Sequence, residues 1–204
     1  MSVAEARYVS RAGEKLAFAL EAFGLDVAGL VCADFGCNVG GFCDCLLQHG
    51  ASKVYAVDTG YGTLAWKLRR DPRVAVMERT NALRAEPPEP VDLVVIDVGW
   101  TPQSLILQAA RRWLKSGGQA ISLLKPHYEA AAAESAGKGC GKRRPPSGRP
   151  SKHVLSLAEA RAQCLTTCQA LAPLGWQVRA IVPSPLLGGD GGNPEFLIWV
   201  KPWE

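Results

Sequence analysis

Seven short runs rich in Val, Ile and Leu, most of them separated by helical patterns, constrain this chain more than any other feature. The runs cover 30–35, 53–57, 74–77, 92–96, 119–124, 177–182 and 195–200. They alternate weakly between apolar and polar, as strands do when both faces of a parallel sheet are covered. Helical patterns occupy 10–23, 41–49, 102–115 and 156–171. The first sets Leu16, Ala19, Leu20 and Phe23 on one face, with Gly24 behind them as a C-cap. Strand and helix in alternation predict a doubly wound α/β sheet with helices on both faces. Only a turn, around 183–194, joins the last two strands. Such neighbours cannot make a parallel crossover, so one edge strand is expected to run antiparallel. A chain of 204 residues can bury one core, and a single domain over 1–204 is expected. One stretch, 130–152, breaks the pattern as an Ala/Gly/Pro/basic insertion of the kind that is usually functional or flexible.

Composition narrows the classes. No apolar run approaches ~18 residues, so no membrane-spanning helix is expected. The start, Met1 to Arg7, has no basic-then-apolar signal pattern, and the seven cysteines are odd in number. A reducing, cytoplasmic compartment with free thiols is the reading. No Cys-x-x-Cys pair exists: Cys43 and Cys45 are too close together and Cys164 and Cys168 too far apart for a zinc knuckle, so no metal is expected. The net charge is +4, and one stretch accounts for it. Lys138, Lys142, Arg143, Arg144, Arg149 and Lys152 lie together without an acid. This suits a polyanionic partner; a merely solvated loop has the same composition.

The first strand ends in Asp34-Phe35-Gly36-Cys37-Asn38-Val39-Gly40-Gly41-Phe42, where a helix begins. Glycines at such a turn let backbone N–H groups approach a ligand. A P-loop needs Gly-Lys-Ser/Thr, but Phe42 follows Gly41. A dinucleotide fingerprint needs Gly-x-Gly-x-x-Gly, and the spacing here is Gly-x-x-x-Gly-Gly. What remains, Asp-x-Gly-x-x-x-Gly-Gly, resembles the first motif of S-adenosylmethionine-dependent methyltransferases. The second strand ends at Asp58, 22 residues after Gly36, where a carboxylate can accept hydrogen bonds from ribose hydroxyls. A tight turn and a loop-capping Asp without a ligand is the plainer alternative. The fourth and fifth strands end in Asp97 and Lys125. Ligands bind at the carboxyl edge of open sheets, and the shared placement of these two groups favours a site over surface ion pairing.

Further words follow in order: Ser10-Arg11-Ala12-Gly13-Glu14-Lys15-Leu16; Tyr61-Gly62 with Trp66-Lys67-Leu68-Arg69; Asp71-Pro72-Arg73-Val74; Glu78-Arg79-Thr80-Asn81; Lys125-Pro126; and Gly192-Asn193-Pro194-Glu195-Phe196-Leu197. Over residues 8–200 the chain resembles FtsJ-type ribose 2′-O-methyltransferases, within them the TlyA (hemolysin A) branch. The resemblance implies a Rossmann-like methyltransferase fold and a tetrad of Lys15, Asp97, Lys125 and Glu195. It implies S-adenosylmethionine contacts at Gly36, Gly40, Gly41, Phe42, Asp58, Asn81 and Asp97. It further implies methylation of a ribose 2′-hydroxyl in RNA, with ribosomal RNA or a ribosomal subunit as partner and no membrane. A non-catalytic RNA-binding or ribosome-assembly protein that retains the fold is the alternative; it has no need of the tetrad. Members of that branch usually begin with a small RNA-binding module, which is expected to be absent because the sequence opens seven residues before Tyr8. Ala12 replaces a usual glycine of that branch, and Gly99-Trp100 stands where it has Ser-Phe. Trp100 stands beside the expected acceptor pocket and suits stacking on a base. His127 replaces a usual Gln, and Glu129 is a second choice for the acid assigned to Glu195.

The residue types fit the chemistry. The acceptor hydroxyl must lose a proton as it attacks a methyl in line. A lysine of ordinary pKa, about 10.4, is protonated at neutral pH, and bringing it to ~7–8 takes about 4 kcal/mol. Burial and a second ammonium lower it, while carboxylates raise it. Lys125 is expected as the base, oriented by Asp97, with Lys15 and Glu195 on the ribose. If the basic stretch grips RNA, exchanging Arg143 and Arg144 for Gln should weaken RNA binding and flatten its dependence on salt. An unchanged slope in a salt titration returns the stretch to a solvated loop.

Overall fold

The computed structural model describes residues 6–137, 154–189 and 192–203. Its strands are β1 (Val31–Phe35), β2 (Lys53–Val57), β3 (Val74–Met77), β4 (Val91–Ile96), β5 (Leu114–Leu124), β6 (Trp176–Pro183) and β7 (Phe196–Pro202). The helices are α1 (Ala12–Phe23), α2 (Gly41–Gln48), α3 (Trp66–Arg69), α4 (Gln103–Trp113), α5 (Pro126–Gly137) and α6 (Leu157–Gln169). The strands form one sheet in the order β3-β2-β1-β4-β5-β7-β6. All neighbours pair in parallel from β3 to β5, and β7 runs antiparallel to both β5 and β6.

The expected reversed strand is therefore present, one place in from the edge. The chain passes from β5 through α5 and α6 to β6 at the rim, then folds back so that β7 fills the gap between them. Three other boundaries differ from expectation. The first part of the patternless 130–152 stretch is helical, because α5 continues to Gly137 on an Ala-rich run with high helix propensity. Strand β5 starts at Leu114, directly after α4, and absorbs Gly117 and Gly118 in an irregularity opposite Val91 to Leu93. The one-turn helix α3 is too short to leave a periodic signal.

Strand alternation divides the core in two. Ala33, Phe35, Tyr55, Val57, Val94 and Ile96 face one layer, which is closed by α4 and α6. Cys32, Val54, Ala56, Leu93, Val95, Ile121, Leu123 and Leu197 face the other, closed by α1 and α2. All six cysteines among the described residues are free and buried, four of them in this second layer as small apolar side chains. No helix among the described residues is long and apolar enough to cross a membrane.

Trp113 anchors the first layer. It is fully buried, packs edge-on against Phe35 at 5.1 Å between centroids, and donates from Nε1 to the Ala85 carbonyl at 3.1 Å. Replacing it by Ala removes both the packing and the indole that satisfies this carbonyl. Urea unfolding of Trp113→Ala should show a loss of about 3–5 kcal/mol with the m-value unchanged.

Candidate active site

The carboxyl edge of the sheet gathers the chemistry because the parallel strands end in register. Phe35 pairs with both Val57 and Ile96, so Gly36, Asp58 and Asp97 follow side by side. Leu124 pairs with Phe196 on the antiparallel strand, so Lys125 and Glu195 are neighbours in turn. Alternation then sets the direction. Asp34, Asp58, Asp97, Lys125 and Glu195 share the parity of the residues that face α1 and α2. Helix α1 supplies the remaining member. Lys15, one turn before Ala19 on its buried face, donates from Nζ to Glu195 Oε2 at 2.5 Å. Lys125 Nζ donates to Asp97 Oδ1 at 2.6 Å and to the Val98 carbonyl at 3.4 Å.

The four tetrad residues are thus two ion pairs side by side. The Glu195 carboxylate reaches Lys125 electrostatically as well. Burial alone would push the Lys125 amine down. Asp97 beside it, with Glu195 and Tyr128 further off, overrides that and holds it above the ordinary lysine range. The contest that residue types left open is decided for the carboxylates. Lys15 faces its own carboxylate partner, so its charge is compensated and exerts little repulsion on Lys125.

The glycine turn lies against this pair. Gly36 has φ +82°, and a Cβ there would stand 2.5 Å from the Asp97 carbonyl oxygen, so a side chain would force the two strand ends apart. Gly40 has φ +102°, and a Cβ there would run into the Leu68 and Leu64 methyls. Gly41 and Phe42 also have packing roles. A Cβ on Gly41 would run into Ser10 Oγ, the Ala12 methyl and the Gly13 backbone, so its absence lets α1 dock on α2. The Phe42 ring is buried in the second core layer, so its backbone alone faces the turn. Asp58 accepts from the backbone N–H of Asn38 at 2.8 Å and of Gly60 at 2.7 Å. A carboxylate has about four lone-pair sites, which leaves acceptor capacity for two hydroxyls. Asn81 is exposed at the end of β3, its Oδ1 accepting from Leu83 N–H.

Two acids at the site escaped the sequence reading. Asp34 is wholly buried; Oδ2 accepts from Cys43 N–H in the first turn of α2, while Oδ1 has no partner among the described residues. Burial, reinforced by Asp97, pushes its carboxyl well above the usual range. Its place in the Asp-x-Gly motif was the available signal. Asp44 is nearly buried and accepts from Val9 N–H at 2.8 Å, Gln48 at 3.1 Å and Lys67 at 2.9 Å. It fastens the segment before α1 to α2. Glu129, one turn after Lys125, accepts from Gln103 N–H at the start of α4. Trp100 is half-exposed with φ +64°, and its ring lies 4.7 Å from Tyr128, which contacts His127 in turn. Burial and Lys125 push His127 down, towards the neutral form. Lys138, Lys142, Arg143, Arg144, Arg149 and Lys152 lie outside the described residues.

The donor set suits a nucleoside that carries an amino acid. Asp58 offers acceptors for ribose hydroxyls and Asn81 an amide for a base edge. The orphaned Asp34 Oδ1 has hydrogen-bonding capacity to spare beside the turn. Known proteins agree. The FtsJ-like methyltransferase family matches residues 8–201. The 16S/23S rRNA (cytidine-2′-O)-methyltransferase TlyA of Mycobacterium tuberculosis is 41% identical over 201 residues, which cover 97% of this chain and 69% of that relative. A candidate hemolysin of Streptococcus thermophilus superposes with a TM-score of 0.82 at 36% identity, covering 100% of this chain and 70% of that one. Magnesium protoporphyrin IX methyltransferase from Synechocystis has the same fold, with a TM-score of 0.58 at 16% identity over 93% of this chain and 81% of its own.

The raised carboxyl of Asp34 has a thermodynamic signature. From about pH 4 upward the unfolded chain has released this proton and the folded chain retains it, so Asp34 costs stability as pH rises. Asp34→Asn keeps an acceptor for Cys43 N–H and removes the titration. Its melting temperature should match the wild type in acid and exceed it increasingly towards neutral pH. Parallel melting curves at every pH would show that Asp34 is not held protonated.

Proposed function

The chain belongs to the FtsJ-like methyltransferase family, and from that premise we propose that it transfers a methyl group from S-adenosylmethionine to a ribose 2′-hydroxyl of ribosomal RNA. The observation that carries the reading is the pair of adjacent ion pairs, Lys15–Glu195 and Lys125–Asp97, on the same sheet edge as the Gly36–Gly41 turn and Asp58. S-adenosylmethionine supplies an electrophilic methyl on a sulfonium. Gly36, Gly40 and the backbone of Gly41 and Phe42 line its place, with Asp58 on the ribose, Asn81 on the base and Asp97 at the reacting end.

The remaining work falls to the tetrad. Lys15 and Glu195, fixed on each other, present a donor and an acceptor that hold the acceptor ribose. Asp97 Oδ1 and the Val98 carbonyl fix Lys125 Nζ at the adjoining strand end. Nζ accepts the hydroxyl proton when deprotonated, and in the free chain its ion pair favours the ammonium. Only a small neutral fraction is therefore competent near pH 7. Trp100 on Tyr128 forms an aromatic shelf beside Lys125 on which the acceptor base can stack. In this reading residues 1–204 form one domain with a basic insertion at about 130–152, working on ribosomal RNA in the cytoplasm.

Transfer of tritiated methyl to ribosomal subunits and to naked ribosomal RNA, followed by nucleoside digestion, tests the assignment. Label is expected on 2′-O-methylated nucleosides; label on a base or on protein would refute it. Lys125→Ala should lower kcat by about 10²–10⁴ while calorimetry finds S-adenosylmethionine binding intact. Asp58→Ala should show the reverse emphasis, with cofactor affinity reduced by about tenfold or more. Because Lys125 is held above its ordinary range in the free chain, log kcat/KM of the wild type should climb with pH, at unit slope, from neutral into the alkaline range. A flat profile would remove Lys125 as the base.

A further inference from the structure

One surface with unusual chemistry takes no part in the site just described. Trp66 and Tyr61 are about 70% and 69% exposed, the most open of the large apolar side chains among the described residues. Scattered exposed apolar residues are ordinary, but two aromatic rings set among cations are not. Trp66 opens α3, and Arg70 lies one turn later on the same face. The Arg79 guanidinium lies over the Tyr61 ring, 4.2 Å from its centroid. Lys67 is more than half exposed although it reaches Asp44.

The acids of the same segment are already engaged. Glu78 is paired with Arg69 and accepts from Gly62 N–H, and the Arg69 contact holds its carboxyl below the usual range. Asp71 is bound two-pronged by Arg73. Arg70 and Arg79 have no ion pair among the described residues. What faces outward is therefore cationic and aromatic, with its local anions neutralised. The backbone supports this presentation. Arg79 is held at φ +51°, its N–H donating to the Gly60 carbonyl, which keeps it over the loop that carries Tyr61.

We propose that Tyr61, Trp66, Arg70 and Arg79 form a docking surface for a single-stranded RNA segment that flanks the acceptor nucleotide. The proposal rests on the RNA methyltransferase reading and adds the path of the substrate. Tyr61 and Arg79 follow the carboxyl ends of β2 and β3, as the tetrad follows those of its own strands at β5 and β7, and Trp66 and Arg70 continue the surface along the crossover between β2 and β3. Four strand spacings separate β3 from β5, about 19 Å at ~4.8 Å each. A strand crossing that distance fits the roughly 4–16 nucleotides that single-strand grooves engage. Along it, bases stack on Trp66 and on the outer face of the Tyr61–Arg79 pair, while Arg70 and Lys67 meet phosphates.

Fluorescence anisotropy with a labelled oligouridylate of about 12 nucleotides reads this directly. Trp66→Ala should weaken binding by roughly tenfold, within the range found for removal of one base stack. Arg70→Gln with Arg79→Gln should lower the slope of log K against log salt by about 0.7 per phosphate no longer neutralised. Calorimetry with S-adenosylmethionine verifies that Trp66→Ala and Arg70→Gln remain folded. Wild-type affinity and slope in all variants, or no binding by the wild type, would overturn the surface. Weaker binding only to intact ribosomal subunits, with the oligonucleotide unaffected, would overturn it in favour of a protein contact. Methyl transfer by the wild type to ribosomal RNA is scored separately: its absence defeats the proposed function, whereas its presence beside unaffected variants defeats this surface alone.

Discussion

Gly36 has no room for a side chain, and the site depends on that close approach. The turn after β1 rests directly on the Asp97 backbone, which brings the glycine-rich segment within contact of the group that aims Lys125. The same turn donates two N–H groups, from Gly36 and Cys37, to the Val57 carbonyl. Three consecutive strand ends are thereby locked to one another before any side chain is considered. A methyl group at this position would have to displace backbone, since the Asp97 carbonyl stands nearest to it, with a Val98 methyl behind. Binding turn and reacting groups are consequently one rigid unit, and rigidity of that kind is what lets an enzyme position two reactants without further ordering.

Electrostatics divides the edge into compartments. Glu195 compensates Lys15, Asp97 compensates Lys125, and Asp58 accepts from Gly60 N–H of its own loop and from Asn38 N–H of the glycine turn. Asp34 is the one buried acid with no cation beside it among the described residues, and its carboxyl is accordingly driven towards the neutral form. Pairing has a chemical consequence for Lys125. A lysine that must act as a base is best served by a lowered pKa, yet the same carboxylate that fixes its direction raises it. Orientation has been favoured over readiness in the free chain. Any positive charge brought near Nζ by the reactants opposes Asp97, so the amine is at its most basic before the site fills.

Much of this was legible in the residues, for identifiable reasons. Parallel strands covered on both faces leave plain apolar runs, and the acids and lysine stand out because each closes such a run at its carboxyl end. Asp58, Asp97 and Lys125 were readable on that ground alone. Lys15 and Glu195 were not: they lie 180 residues apart, and only the insertion of β7 beside β5 brings them together. Their assignment came from resemblance. The position of β7 inside the edge was hidden because strand order is a long-range property, which local pattern does not encode. Asp34 and Asp44 were overlooked for another reason. Each sits within a word read for its glycines or as part of a helix, and burial, the property that singles them out, appears only in three dimensions.

Stability by itself gives no reason for the arrangement at the sheet edge. Burying an ion pair such as Lys15–Glu195 removes two charges from water, and well-packed apolar residues of similar volume serve a fold as well or better. The same holds for Asp34, whose orphaned oxygen forgoes a hydrogen bond in the interior. Trp100, held half-exposed in a left-handed conformation, adds backbone strain with little burial in return. Unpartnered buried atoms also occur away from this edge, as at Trp176 Nε1 in the layer around Trp113. What sets the edge apart is that a buried ion pair, an orphaned acid and a strained aromatic residue lie on strand ends and turns that adjoin one another. Packing alone supplies no reason for that combination, whereas a site that must hold a polar ligand does.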